Sequence, residues 1–415
     1  MKTILPILFF LVLFPLTTSA LSLDDKLQLV IEVYDLTSKE CAPSTEQPEL
    51  DFALAEVGEI FFNTPILSGG KDTSCSTCHL DNEFLTDGLA LSVGVGGKGE
   101  GADRVNSQGI VVPRNAFTLF GRSHPDFKTF FWDGKIQEQD GLLYSPIGEA
   151  YSMGFNSPLS VAAVLPVLAR DEFLGKMAVY GNSKNLESVN SAHYQDKVPA
   201  INQILEDLLT NTEDSDVVEL RDKLADIGTD SLDLPLVGNA LASFIRRLTS
   251  ECEKTRWSEY LQGNKSALTD DEKKGAVSFF GKGRCASCHG GNFFSDFDFH
   301  SIGVPQGEFG THIHKQDIGR ASVTFSLKDR YKFRTPPLLY VSKTAPYGHN
   351  GSFETLEDVV LFHINPIPYF LSHSWTSKNE VFSYGSILST RSKTLGYIEL
   401  NETEMAEVIF FLHAL

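Results

Sequence analysis

The chain has 415 residues, 42% of them apolar, with 35 Lys and Arg against 54 Asp and Glu and a formal net charge of −19. The apolar fraction excludes a disordered or collagen-like chain. The acid excess excludes a simple nucleic-acid binder, which needs a basic face to displace counterions from phosphate. Six cysteines are too few to staple a chain of this length, so stability must come from hydrophobic cores, two of them by the length.

Residues 1–20 read as a secretory signal: Lys2, an uncharged run from Ile4 to Leu16, then small residues at Thr18 and Ala20. The run is too short for a membrane span and is broken by Pro6 and Pro15. The expected mature protein is exported, periplasmic or secreted, with no membrane span. Next comes the segment Gly58 to His79, an apolar helical stretch, a Gly-containing turn and Cys-x-x-Cys-His. The stretch 171–235 is polar and reads as a connector, with helical periodicity around Ile201 to Leu209. Helix resumes at Leu236 to Leu248, and Thr269 with Glu272 forms a capping box that opens another helix. That helix leads into Gly275 to His289, which repeats the first segment and its motif. Clean period-two strands are few. The expectation is a mainly α fold of two related modules with long loops: 21–170, the connector 171–235, and 236–415.

Cys75, Cys78 and His79 form one CxxCH, and Cys285, Cys288 and His289 the other. In this pattern two thiols add to the haem vinyl groups and the adjacent imidazole turns back onto the iron. Chance supplies roughly 0.002 such motifs in a chain of this composition. A redox CxxC needs no following His, and a zinc site would use both pairs together. Two covalently bound haems c are therefore expected. Cys41 and Cys252 remain, as a disulfide or as two thiols.

The two CxxCH motifs, FWDGK (Phe131 to Lys135) and TAPYGHNGSFETLEDVV (Thr344 to Val360) together make the chain resemble the di-haem cytochrome c peroxidase family, including its MauG branch. The resemblance implies two cytochrome c-like helical haem domains. It implies that peroxide reacts at the N-terminal haem and that electrons enter at the C-terminal one. Val95 falls where the family carries a distal histidine, so the first iron is expected to have an open site, with His124 as the other candidate ligand. His363 falls where the family places the sixth ligand of the second haem, with His349 as the runner-up; Val359, Val360 and His363 share a helical face. Trp132 matches the tryptophan between the haems, an electron relay. The family also implies a calcium ion on the Asn115 side chain and the carbonyls of Thr344 and Pro346.

One departure stands out. Ser152 occupies the position of the family's distal glutamate, leaving Glu149 as the expected catalytic acid and Tyr151 as another donor. The implied function is an exported di-haem oxidoreductase that reduces hydrogen peroxide with electrons from a small cytochrome or cupredoxin. Two other readings stand beside it: MauG-like oxidation of a partner protein, and a non-catalytic electron-transfer cytochrome. The resemblance leaves a homodimer open.

Overall fold

The structure, a computed structural model, describes residues 21–37, 50–175, 193–250, 253–306, 316–372 and 378–415. The expected signal at 1–20, Cys41, Cys252 and the Tyr151 side chain lie outside them. The fold is mainly α. Its principal helices are α1 (Leu23–Val33), α2 (Phe52–Asn63), α3 (Pro158–Val164), α4 (Tyr194–Leu208), α5 (Ser215–Asp226), α6 (Leu234–Leu248), α7 (Asp270–Phe280), α8 (Leu356–Ile364), α9 (Lys378–Leu388) and α10 (Glu402–Leu412). No helix among the described residues is long and apolar enough to cross a membrane.

The two repeated segments fold alike. Asp51 caps α2 by accepting from the Leu54 N–H at 2.9 Å. The capping box read at the start of α7 is present: Glu272 N donates to the Thr269 hydroxyl, and Thr269 N to the Glu272 carboxylate. Helix α2 packs against α6, and α7 packs against α10. At each crossing the glycine that opens the repeat lets two backbones meet. A Cβ on Gly58 would fall on the Ala240 carbonyl, and one on Gly275 on the Glu407 carbonyl.

Two hydrophobic cores result, and they divide the chain differently from the expected boundaries. The first joins α2, α3 and α6 with α4 and α5, through Phe61, Leu168, Ile201, Leu220 and Leu241. The polar-looking stretch 171–235 therefore packs into this core. The reason is spacing: Val198, Ile201, Leu205 and Leu208 form one apolar face, and Val217, Leu220 and Leu224 another. Helix α6, expected with the second module, belongs here too. The second core gathers Trp257, Phe279, Phe294 and Phe411, together with Leu27 and Leu36. Residues 23–36 thus pack with the second core and not with the module of 21–170 as expected. Tyr260 and Lys273 hold α1 there through Asp24 (2.8 and 2.9 Å).

Two small antiparallel sheets sit among the loops. Strands β1 (Thr129–Phe130), β2 (Ile136–Gln139) and β3 (Leu142–Tyr144) pair in that order, with Phe130 opposite Ile136. FWDGK is the connection between β1 and β2, and Phe131 and Gly134 take the positive φ values that turn it (65° and 64°). Strands β4 (Phe299–His300) and β5 (Phe333–Arg334) form the second sheet. The Arg334 N–H donates to the Trp132 carbonyl (2.7 Å), tying the second sheet to the FWDGK turn.

Candidate functional site

Each CxxCH motif begins with a 3₁₀ turn, Cys75–Thr77 and Cys285–Ser287. The His79 N–H then donates to the Cys75 carbonyl (3.1 Å), and the His289 N–H to the Cys285 carbonyl (2.8 Å). The rings are oriented in the same way: Nδ1 of His79 meets the Leu85 carbonyl at 2.8 Å, and Nδ1 of His289 meets the Phe294 carbonyl at 2.9 Å. A carbonyl can only accept, so Nδ1 carries the proton and Nε2 is left as a neutral donor to a metal. Burial lowers the pKa of both imidazoles to about 4, which keeps that lone pair available. Burial also pushes Cys75 and Cys285 up to about 12 and raises Cys78. A redox-active CxxC needs the opposite shift.

Each motif lines its own cavity, of about 720 Å³ for the first and about 230 Å³ for the second. In the second, His289 and His363 face one another with ring centroids 6.5 Å apart. One metal ion with bonds of about 2 Å to each nitrogen would span that gap. The His363 Nδ1 bonds the Val359 carbonyl at 2.6 Å, so its Nε2 is also left over. Val359, Val360 and His363 all line this cavity, as their shared helical face predicts. His349 lines it too, stacked on Phe333 at 3.6 Å, and its buried Nε2 has no hydrogen-bond partner among the described residues.

The first cavity differs. His79 is the only histidine among the described residues that line it. Ser92 and Gly94 reach the cavity wall, whereas Val95 is buried against Gly175 and does not face the cavity. His124 lines neither cavity; its ring lies against Phe293 (5.1 Å) and its Nδ1 near Asp126 (3.6 Å). Glu149, the expected acid, is exposed on the turn Glu149–Tyr151 and lines neither cavity. The physical reason is the turn itself: Ser152 N and Oγ bond the carbonyls of Glu149 and Gly148, which leaves the acid on the solvent side.

A wall shared by both cavities contains Trp132, Arg122, Phe117 and Asn115. The Trp132 indole donates to the Asn115 carbonyl (3.1 Å), and its ring lies 6.5 Å from that of His349. Arg122 is buried between the faces of Phe117 and Phe127 (4.5 and 4.4 Å), and its Nη1 has no hydrogen-bond partner among the described residues. Asn115, Thr344 and Pro346, expected around calcium, all line the second cavity; the Asn115 Nδ2 donates to Leu89 O (2.8 Å).

Several lining residues have no role assigned to them by the sequence. Lys135 closes FWDGK with its Nζ over the Phe131 ring (4.2 Å), and Tyr194 and Lys197 enter from α4. Glu172 enters from the segment after α3, with no motif around it. Cys288, Asp296 and His300 bring ligand atoms within 4.8 Å of one another, but Cys288 belongs to the second CxxCH.

The family profile described as di-haem cytochrome c peroxidase matches residues 53–266, just over half of the chain. The chain belongs to the di-haem cytochrome c peroxidase family. As a member it is a peroxidase-like oxidoreductase with haem as its cofactor. It is 26% identical over 334 residues to cytochrome-c peroxidase IdrP2 of Pseudomonas sp. strain SCT, covering 75% of this chain and 73% of that one. It is 27% identical over 314 residues to methylamine utilization protein MauG of Methylorubrum extorquens, covering 74% and 67%. A crystal structure of a MauG-like protein associated with microbial copper homeostasis shares the fold with a TM-score of 0.58, at 20% identity over 90% of this chain and 95% of the other. The residues present fit two haems. Three imidazoles have Nδ1 bonded and Nε2 left to coordinate, and the unpartnered Arg122 Nη1 at both cavities suits a propionate carboxylate.

Proposed function

We propose that this chain is an exported di-haem c-type oxidoreductase that reduces hydrogen peroxide at its N-terminal haem with electrons passed through its C-terminal haem. The observation that carries this is the asymmetry of the cavities: two imidazoles face each other across the second, and His79 is the one histidine among the described residues that line the first. When bound, haem would supply the redox chemistry that reduces peroxide.

The chain's own residues do the rest. Cys75, Cys78, Cys285 and Cys288 attach the two haems by thioether bonds. His79 would hold the first iron through Nε2, and the Leu85 carbonyl fixes the tautomer that leaves that nitrogen free to do so. His289 and His363 close the second site for electron transfer, and His349 stays behind as a packed neutral ring. Trp132, in the shared wall, relays electrons between the two. The domains are the two haem modules built on the cores above. Calcium is held by the Asn115 side-chain oxygen and the carbonyls of Thr344 and Pro346, oxygen donors of the type it prefers. Export rests on the charge and hydropathy of residues 1–20.

A second reading is favoured by the lone histidine of the first cavity: MauG-like oxidation of a partner protein, with the same haem chemistry and a different electron source. One pair of measurements separates these from a non-catalytic cytochrome. Ferric electron paramagnetic resonance should show one high-spin and one low-spin haem, and a reduced small c-type cytochrome should support peroxide reduction. Turnover without use of that donor favours the partner-oxidation reading. Two low-spin signals with no turnover would remove both.

A further inference from the structure

Glu172 lies in the wall of the first cavity with Cys75, Cys78 and His79. It sits on a π-helical turn, Arg170–Leu174. Such turns are rare and are frequent at functional sites. The turn is clamped to the Gly94–Val95 loop and to the turn that precedes the first CxxCH. The Glu172 carbonyl accepts from Val95 N (3.0 Å), the Phe173 carbonyl accepts from Gly69 N (2.7 Å), and Gly94 has no room for a Cβ against the Asp171 carbonyl. Backbone bonds therefore fix where this carboxylate enters the cavity. The carboxylate itself has no hydrogen-bond partner among the described residues, and its charge is felt at both thiols of the first motif. Burial raises its pKa, opposed by the charge of Lys135 in the same wall.

We propose that Glu172 is the catalytic acid–base group of the first cavity, doing from a different segment what a glutamate at position 152 would do. The assignment rests on the peroxide reading above. Hydrogen peroxide enters as the neutral molecule, and one proton passes from the oxygen nearest the iron to the Glu172 carboxylate. The same proton is returned to the far oxygen, which leaves as water when the O–O bond breaks. The haem site supplies the two electrons for that cleavage, and the donor replaces them. The remaining oxygen takes two protons from solvent and departs as a second water. The cation of Lys135 in the same wall favours the charged form and so limits the rise that burial imposes on the Glu172 pKa.

The test uses the haem-loaded full chain, as wild type, Glu172→Gln and Glu172→Asp. Cyanide is the probe that needs no turnover. Hydrogen cyanide enters as a neutral acid, gives its proton to a base in the cavity, and binds iron as the anion. Its rate of binding, read in the ferric optical spectrum of the first haem, reports that base directly. Glu172→Gln should slow cyanide binding and peroxide reduction together by about 10²–10³-fold, with haem content and ferric spin state retained. Glu172→Asp should recover at least about tenfold of each. Both rates within about threefold of wild type in Glu172→Gln would overturn the assignment. If the wild type binds cyanide but reduces no peroxide, a cyanide rate slowed in Glu172→Gln upholds Glu172 as the base while the peroxide reading fails. If Glu172→Gln takes up no haem, Glu172→Asp decides: slowed cyanide binding supports the assignment and an unchanged rate overturns it.

Discussion

At the scale of single residues, ligand identity sets the behaviour of each haem. The 6.5 Å between His289 and His363 leaves room for one iron between two nitrogens. Removing one of them should affect one site only. His363→Ala is expected to turn the low-spin ferric signal of the second haem high-spin and to leave the first unchanged; a spectrum that does not move would show that another group is the ligand. Val95 gives the opposite expectation. Its place in the sequence suggests that Val95→His would close the first site and make that haem low-spin. Its side chain instead packs on Gly175 behind the cavity wall. Val95→His should therefore leave the first haem high-spin, and its cost should appear as about 1–3 kcal/mol of lost stability from overpacking, measured by denaturant unfolding. The CxxCH motifs were legible because they have a local spacing rule, and His363 was reached through the family resemblance, the structure showing that it lines the second cavity. Glu172 was not, because what brings it to the cavity is a set of backbone bonds between residues far apart in sequence.

At the scale of elements, each module rests on one helix crossing with a glycine at the contact. Gly58 and Gly275 open the two repeated segments, and the sequence shows them only as part of a repeat. Their function becomes visible once α2 meets α6 and α7 meets α10 with no space for a Cβ against the Ala240 and Glu407 carbonyls. Because the obstacle is backbone and not a flexible side chain, the helices must move apart. Gly58→Ala and Gly275→Ala should each cost about 1–3 kcal/mol in thermal unfolding, more than the few tenths that helix propensity would return. A neutral or stabilising alanine would mean that the crossings are looser than the backbones show. Helix existence was readable here: the capping box at Thr269 and the start of α6 near Leu236 both match the observed elements. Helix membership was not. Periodicity shows that α1, α4 and α5 have an apolar face, but it does not say which core that face covers, and a polar composition concealed how much of 194–226 is buried.

At the scale of the whole molecule, the two halves of the chain meet through a buried ion network beside the haem cavities. The Arg114 guanidinium donates to Asp133 (2.6 Å) in the FWDGK turn and to both carboxylate oxygens of Asp317 (2.6 and 2.9 Å) in the second half of the chain. Burial alone would raise the pKa of both acids. The charge of Arg114 outweighs it and holds both below the ordinary value of 3.8. Groups depressed in this way contribute stability that is complete above about pH 4 and is lost as the pH falls through their folded values. Asp317→Asn removes half of the network and leaves Arg114 underpaired in a buried place, at an expected cost of about 3–5 kcal/mol. The variant should also lose part of the wild type's stability decline below pH 4, since one of the two depressed carboxylates is gone. Urea unfolding of both proteins at pH 7 and at pH 3 checks the sign: the gap between them should be wide at neutral pH and narrower in acid. A gap that stays constant would mean that Asp317 stabilises by packing and not by its charge. Since Arg114 also borders the first cavity and Asn115 beside it accepts from Trp132, the same substitution should disturb the haem environment. A shift in the optical spectrum of the first haem at neutral pH, in protein that is still folded, would show that the network positions the shared wall as well as joining the halves.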